Sequence, residues 1–189
     1  KEKGPDLESN PELTNYQLNL DEANALLDKT PYTFEEDGKT PWDIAKAEEA
    51  FKNDPDGYDY YRYDENGNRL VVNQFGSDES PITTLISNQV PNNAKQVGME
   101  YNVTAGNFAT LLDYYYSPKE NAEYTAFNMG QSFEPPFDPY YQYNSKGFDN
   151  HTKTNDPKAD EVTEALRKTD PKDKEGYLDK WVDFQLWYN

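Results

Sequence analysis

The alternation of apolar and polar positions is clearest between residues 95 and 143. Residues 99–104 place apolar side chains at every second position, which is typical of a strand with one buried face. Residues 107–116 follow with the spacing of an amphipathic helix, and residues 124–131 form a second strand-like run. A strand, a helix and a strand joined by short connections predict a βαβ unit. Its two strands are expected to be parallel neighbours joined by a right-handed crossover.

Similar periodicity elsewhere predicts the elements around this unit. Asn66-Gly67 separates two strand-like runs at 60–63 and 69–75, which favours a hairpin. Apolar positions at helical spacing predict helices at residues 21–29, 40–53, 81–97, 160–168 and 173–189. The predicted fold class is therefore α/β, with a mixed sheet, the βαβ unit at its centre and helices on both faces. We expect one lobe over residues 1–189, with residues 1–20 as an extended lead-in.

Composition narrows the class of protein. The chain has 189 residues, of which 34% are hydrophobic and 15% aromatic, so it can form a folded domain with a Tyr-rich surface. A formal net charge of −18 argues against nucleic acid or anionic lipid as a partner, because phosphate groups are bound by clustered Lys and Arg. The absence of Cys excludes disulfide and thiol chemistry.

The candidate site follows from the predicted sheet. In open α/β sheets, ligands bind beyond the carboxyl ends of the strands. The βαβ unit ends here in a loop rich in Gly, Phe, Pro and Asp at residues 129–139. We therefore expect a ligand site in this loop.

Catalytic and metal sites receive little support from the residue types. His151 is the only His, so neither a His-based triad with Cys nor a multi-His metal site is possible. The many carboxylates leave a two-carboxylate glycoside hydrolase as an enzyme alternative. We assign no catalytic residue, no metal ligand and no cofactor.

The order of several short motifs resembles a known family. These motifs are Tyr16 to Leu27, Asp37-Gly38-Lys39, the Asn66-Gly67 hairpin, Ala94 to Gly98 followed by strand and helix, Asp138-Pro139, and Thr169 to Tyr177. Together they resemble the second lobe of the extracellular solute-binding proteins, family 5, of oligopeptide ABC importers. The resemblance covers nearly all of the chain.

The resemblance implies a fold, a function and partners. The fold would be one lobe of a two-lobed, type II periplasmic-binding-protein-like fold, and the chain a fragment of a larger protein. The function would be capture of extracellular peptides for import, without enzyme activity. The implied partners are an oligopeptide and the membrane permease of an ABC importer, and the protein would be a monomer. It would lie at the extracellular face of the membrane, lipid-anchored as a lipoprotein, or in the periplasm.

The resemblance also implies site residues. The expected ligand contacts are Gly130, Gln131, Ser132, Phe133, Glu134, Asp138, Tyr140 and Tyr141. Pro135 stands where many relatives carry an Asp that binds the peptide amino group, and the adjacent Glu134 could serve instead in a shifted register. The alternative for Asp138 is a turn-forming role before Pro139.

A carbohydrate-binding or adhesin module is the alternative function, supported by the aromatic residues.

Overall fold

Three parallel strands form a sheet in the computed structural model, which describes residues 12–116, 122–130 and 137–189. Strand β1 is Val71–Ser77, β2 is Glu100–Gly106 and β3 is Ala126–Asn128. Their order across the sheet is β2-β1-β3, and Phe75 of β1 aligns with both neighbours. The α/β class predicted from the sequence is confirmed.

The predicted pairing within the βαβ unit is wrong. Strands β2 and β3 run parallel, as expected, but β1 lies between them and they are not neighbours. The physical reason is that β1 is the strand with the most buried centre, with Gln74, Phe75 and Gly76 all buried. A strand that buries both faces is most stable when it is covered on both edges as well.

Strand β1 also departs from the predicted hairpin. The turn at Asn66-Gly67 forms, with an antiparallel bridge between Tyr63 and Arg69 and a 2.8 Å hydrogen bond from Leu70 N to Arg62 O. Beyond Leu70 the chain leaves this pairing and joins the parallel sheet. Among the described residues, the three strands pair only in parallel, and antiparallel pairing occurs as isolated bridges outside them.

Seven helices are present in the described part of the chain. They are α1 Leu20–Leu27, α2 Ile44–Asn53, α3 Pro81–Gln96, α4 Phe108–Tyr116, α5 Tyr140–Tyr143, α6 Pro157–Arg167 and α7 Lys174–Tyr188. Helix α2 begins later than predicted because Asp43 accepts hydrogen bonds from the backbone of Ala45 and Lys46. Within these described residues, no helix combines the length and apolar character needed to cross a membrane.

Helices cover both faces of the sheet, as predicted. Successive side chains of a strand point to opposite faces. The Phe75 ring packs against Tyr114 of α4, with ring centroids 5.4 Å apart. The next residue, Gly76, faces Thr83 of α3. Helices α3 and α4 therefore lie on opposite faces of β1.

The chain divides into two compact units, each with its own buried residues. The sheet unit is Leu18–Gly130 and contains β1–β3 and α1–α4. The helical unit comprises Lys1–Gln17 and Gln131–Asn189, and its described part contains α5–α7. In the helical unit, buried Ala159, Val162 and Leu166 form one face of α6, which packs on α7. A single lobe over residues 1–189 stays a prediction, and residues 12–19 of the expected lead-in contain no helix or strand.

Candidate functional site

A cleft opens at the carboxyl ends of β1 and β3 in the sheet unit. Its volume is about 430 Å³. It is lined by Ser77, Glu79, Ser80, Ile82, Phe108, Asn128, Met129 and Gly130. These residues come from the ends of two adjacent strands and the first turns of α3 and α4.

The strand order explains why the cleft lies here. From β1 the chain passes through α3 to β2 on one side, then returns through α4 to β3 on the other side. The order therefore reverses beside β1, and β1 and β3 meet at a topological switch point. Crevices for ligands form at such points, beyond the carboxyl ends of the strands.

A chain of side-chain hydrogen bonds fixes the position of Asn128, one of the lining residues. The Tyr101 hydroxyl donates to Gln74 Oε1, and Gln74 Nε2 donates to Asn128 Oδ1 over 2.7 Å. Asn128 Nδ2 then donates to Thr83 Oγ1 over 3.0 Å. Burial raises the pKa of Tyr101, so its hydroxyl remains a neutral donor. Because Gln74 and Thr83 are buried, breaking this chain would leave polar atoms without partners.

Gly76 lets these side chains meet. A Cβ atom on Gly76 would lie 2.5 Å from both Asn128 Oδ1 and Thr83 Oγ1, closer than nonbonded contact allows. Asn128 pairs with Gly76 in the sheet register and reaches Thr83 across the space that a side chain would fill. Glycine at this position is therefore needed for the observed position of the Asn128 amide.

The walls of the cleft combine apolar and polar groups. Ile82, Phe108 and Met129 expose 54%, 51% and 37% of their surface. Glu79 is exposed, and its carboxylate makes no ion pair with any other described residue. Ser80 precedes α3 without a capping hydrogen bond from its side chain. The cleft therefore offers apolar contact beside carboxylate, hydroxyl and amide groups, which suits a solute that carries both apolar groups and hydrogen-bond donors.

Of the ligand contacts expected from the sequence, Gly130 lines the cleft. Gln131, Ser132, Phe133 and Glu134 lie outside the described residues. Their role in binding stays a prediction.

The other three expected contacts, Asp138, Tyr140 and Tyr141, belong to the helical unit. The Asp138 carboxylate accepts a 3.0 Å hydrogen bond from Tyr140 N and lies 3.3 Å from Arg167 Nε. The Arg167 guanidinium in turn lies over the rings of Tyr140 and Tyr141, 4.3 and 4.9 Å from their centroids. The hydrogen bond from Tyr140 N is the one expected if Asp138 forms a turn, which is its alternative role. Ligand binding by the three residues stays a prediction.

Six lining residues were missed by sequence reasoning: Ser77, Glu79, Ser80, Ile82, Phe108 and Asn128. The junction at residues 77–81 carries a recognisable signal, because Ser80-Pro81 begins a helix directly after a strand. The sequence analysis interpreted residues 69–75 as one arm of a hairpin. A hairpin arm does not predict a crevice at its end, so the junction was not recognised as part of a site.

No protein-family model and no curated protein matches the chain. Its structure is similar to several solved structures. One is a lactococcal OppA complexed with an endogenous peptide in the closed conformation, with a TM-score of 0.66, 13% identity, and coverage of 95% of this chain and 30% of that one. A second is a nickel ABC transporter protein from Bacillus halodurans, with a TM-score of 0.60, 18% identity, and coverage of 93% and 32%.

A third is a periplasmic oligopeptide-binding protein of an oligopeptide ABC transporter from Thermotoga maritima, solved with bound mannohexaose. Its TM-score is 0.55 at 14% identity, with coverage of 89% of this chain and 28% of that one. This chain thus spans about a third of the length of each of these three proteins. At these identities the likeness is one of fold, and it confirms the type II periplasmic-binding-protein-like fold that the sequence resemblance implies.

Proposed function

We propose that this chain is part of the solute-binding protein of an ABC importer, and that its cleft contacts an extracellular peptide. The observation that carries the proposal is the position of the cleft. It lies at the switch point of a sheet whose fold is similar to solute-binding proteins over most of this chain. Neighbours of this fold include proteins solved with a peptide and a nickel transport protein.

The chemistry of the cleft supports a peptide as the solute. An extended peptide presents backbone donors and acceptors at regular spacing, together with side chains of varied polarity. The Asn128 amide and the Ser77 and Ser80 hydroxyls match the first feature, and the apolar walls match the second. Backbone groups of Gly130 and of Gln131 to Phe133 would add sequence-independent hydrogen bonds, and Glu134 would bind the peptide amino group.

A saccharide is the second candidate. A similar oligopeptide-binding protein was solved with mannohexaose. In the helical unit, Phe148 is 83% exposed and packs edge-on against Tyr141, with ring centroids 5.6 Å apart. Exposed aromatic rings provide apolar faces for sugar rings. This observation also favours the carbohydrate-binding alternative proposed from composition.

The remaining assignments follow from the same proposal. The protein would deliver its solute to a membrane permease and would act as a monomer without enzyme activity or nucleic acid. It would lie in the periplasm or, lipid-anchored, at the extracellular face of the membrane.

Calorimetry on the full-length protein that contains this chain tests the proposal. We expect binding of a mixed-sequence peptide library. Asn128→Ala should weaken this binding about 5- to 150-fold, because it removes the amide that would hydrogen-bond the peptide backbone. Asn92→Ala, at an exposed position of α3, is the matched control and should have no effect. Binding of only a nickel–histidine complex or only mannohexaose would contradict the peptide assignment.

A further inference from the structure

The wall of the cleft in the sheet unit combines three exposed apolar side chains with one carboxylate. We infer that this cleft is a subsite for a basic side chain of the ligand, Lys or Arg. The stem would lie along Ile82, Phe108 and Met129, and the charged head would reach Glu79. The inference rests on the proposed function and adds to it a preference for basic peptides.

The apolar residues define where the stem would lie. Ile82 is in the first turn of α3, Phe108 begins α4, and Met129 directly follows β3. All three are at least 37% exposed although they line a concave surface. Long basic side chains bury their methylene groups on such surfaces while the charged end stays hydrated. The Phe108 ring also provides a face that attracts a cation.

The charge of the cleft lining indicates which charge the bound group of the ligand should carry. Glu79 is the one charged residue among the described residues of the lining, and neither Lys nor Arg is among them. Its carboxylate makes no ion pair with a described residue, so it is available to a ligand. Asp78, also exposed, adjoins it in sequence, and the chain carries a net charge of −18. The local potential therefore favours a cation and disfavours an acidic side chain.

The volume of the cleft suits a single long side chain. Pockets for whole drug-sized ligands span about 300–1,000 Å³, and this cleft lies near the lower end at about 430 Å³. At about 30 Å³ per water molecule, it has room for an Arg or Lys side chain together with several water molecules. The backbone of the peptide would then pass across the mouth of the cleft.

The test measures peptide affinity by calorimetry with the full-length protein and two variants. A peptide series carries Arg at each position in turn, with citrulline as its neutral, nearly isosteric replacement. We expect one position at which Arg binds at least about fivefold more tightly than citrulline, as for a partly solvated charge-assisted hydrogen bond. Glu79→Gln should abolish this preference. Glu65→Gln, at an exposed turn of the same unit, should preserve it.

Each other outcome overturns the inference. If peptides bind but Arg and citrulline are equivalent, or Glu79→Gln changes nothing, the subsite is not selective for cations and the proposed function stands. If N-acetylation of the peptides removes the effect of Glu79→Gln, then Glu79 binds the terminal amine rather than a side chain. If no peptide binds to the wild-type protein, the proposed function and this inference both fail.

Discussion

At the level of single residues, Gly76 and the hydrogen bonds of Asn128 determine where the Asn128 amide lies in the cleft. Asn128 is held from two sides, by Gln74 of β1 and Thr83 of α3. A Cβ atom on Gly76 would lie 2.5 Å from the side-chain oxygens of both Asn128 and Thr83. The site therefore depends on a residue that contributes no side chain.

Gly76→Ala tests this dependence. The added methyl group would displace Asn128 or Thr83, and we expect a loss of about 1–3 kcal/mol in the free energy of unfolding, as for overpacked cores. Urea denaturation measures this loss. Peptide affinity of the full-length protein should also fall, because the Asn128 amide would move.

Gly130→Ala is the matched control, since a Cβ atom there has no neighbour within 4 Å among the residues that the structure describes. Its effect on stability should remain within about 0.5 kcal/mol. Equal losses for the two variants would show that close packing at Gly76 is not what requires glycine.

At the level of secondary structure, two carboxylates at the N-terminal end of α6 bind neighbouring segments of the helical unit. Asp156 caps the helix by accepting from Lys158 N, and it also accepts from Trp187 Nε1 of α7. Asp160 accepts from both the backbone N and the hydroxyl of Ser145, each over 2.6 Å. These hydrogen bonds, first those from the Trp187 and Ser145 side chains, hold the pKa of each carboxyl below its ordinary value.

The lowered pKa of Asp160 predicts acid sensitivity. Its pKa in the unfolded chain is near 3.8 and lower in the folded protein, so the ionised form stabilises folding above about pH 4. That contribution is lost as the pH falls through the folded pKa. We expect Asp160→Asn to lower the urea midpoint at neutral pH, and the difference from wild type to shrink below about pH 4.

Intrinsic fluorescence reports this transition, because Trp181 and Trp187 lie in α7 of the same unit. Asp183→Asn, at an exposed position of α7, is the control and should leave the midpoint unchanged at each pH. A difference between Asp160→Asn and wild type that stays constant from neutral to acid pH would contradict the assigned role of the carboxylate.

At the scale of the whole molecule, the chain spans about a third of the length of the solute-binding proteins it is similar to. Binding proteins of this kind close two domains around a ligand. On the proposed function, the cleft of this chain is therefore one wall of a larger site. High affinity would require the opposite wall, since ligand pockets bury most of the ligand surface.

We expect the isolated chain to bind peptides at least about 100-fold more weakly than the full-length protein, a difference of about 2.7 kcal/mol. It should also hydrolyse no glycoside. Calorimetry and a chromogenic glycoside assay measure the two quantities. Equal peptide affinity for the two forms would show that this chain holds the complete site, and glycoside hydrolysis would favour the enzyme alternative.

The α/β class and most of the individual elements can be predicted from the sequence alone. Periodicity placed α3, α4, α6 and α7 to within a few residues, because a helix depends on contacts between residues close in sequence. The same signal placed β2 and located β3, although β3 is shorter than predicted. The sequence also predicts a ligand site beyond a strand end. Gly130 of that predicted site lines the cleft, and its role in binding stays a prediction.

Which strands are neighbours follows from long-range packing and is not visible in the sequence. Asn66-Gly67 correctly predicts a turn, but it cannot show that the chain beyond Leu70 exchanges an antiparallel partner for two parallel ones. Likewise, nothing local indicates that Arg62 is 1% exposed, with its guanidinium bound by Val97 O and Asp28. The cleft has the same origin: residues 77–82 and 128–130 line one site because pairing across more than 50 residues places β3 beside β1. Such pairing depends on the burial of the whole chain, which periodicity over a short window does not report.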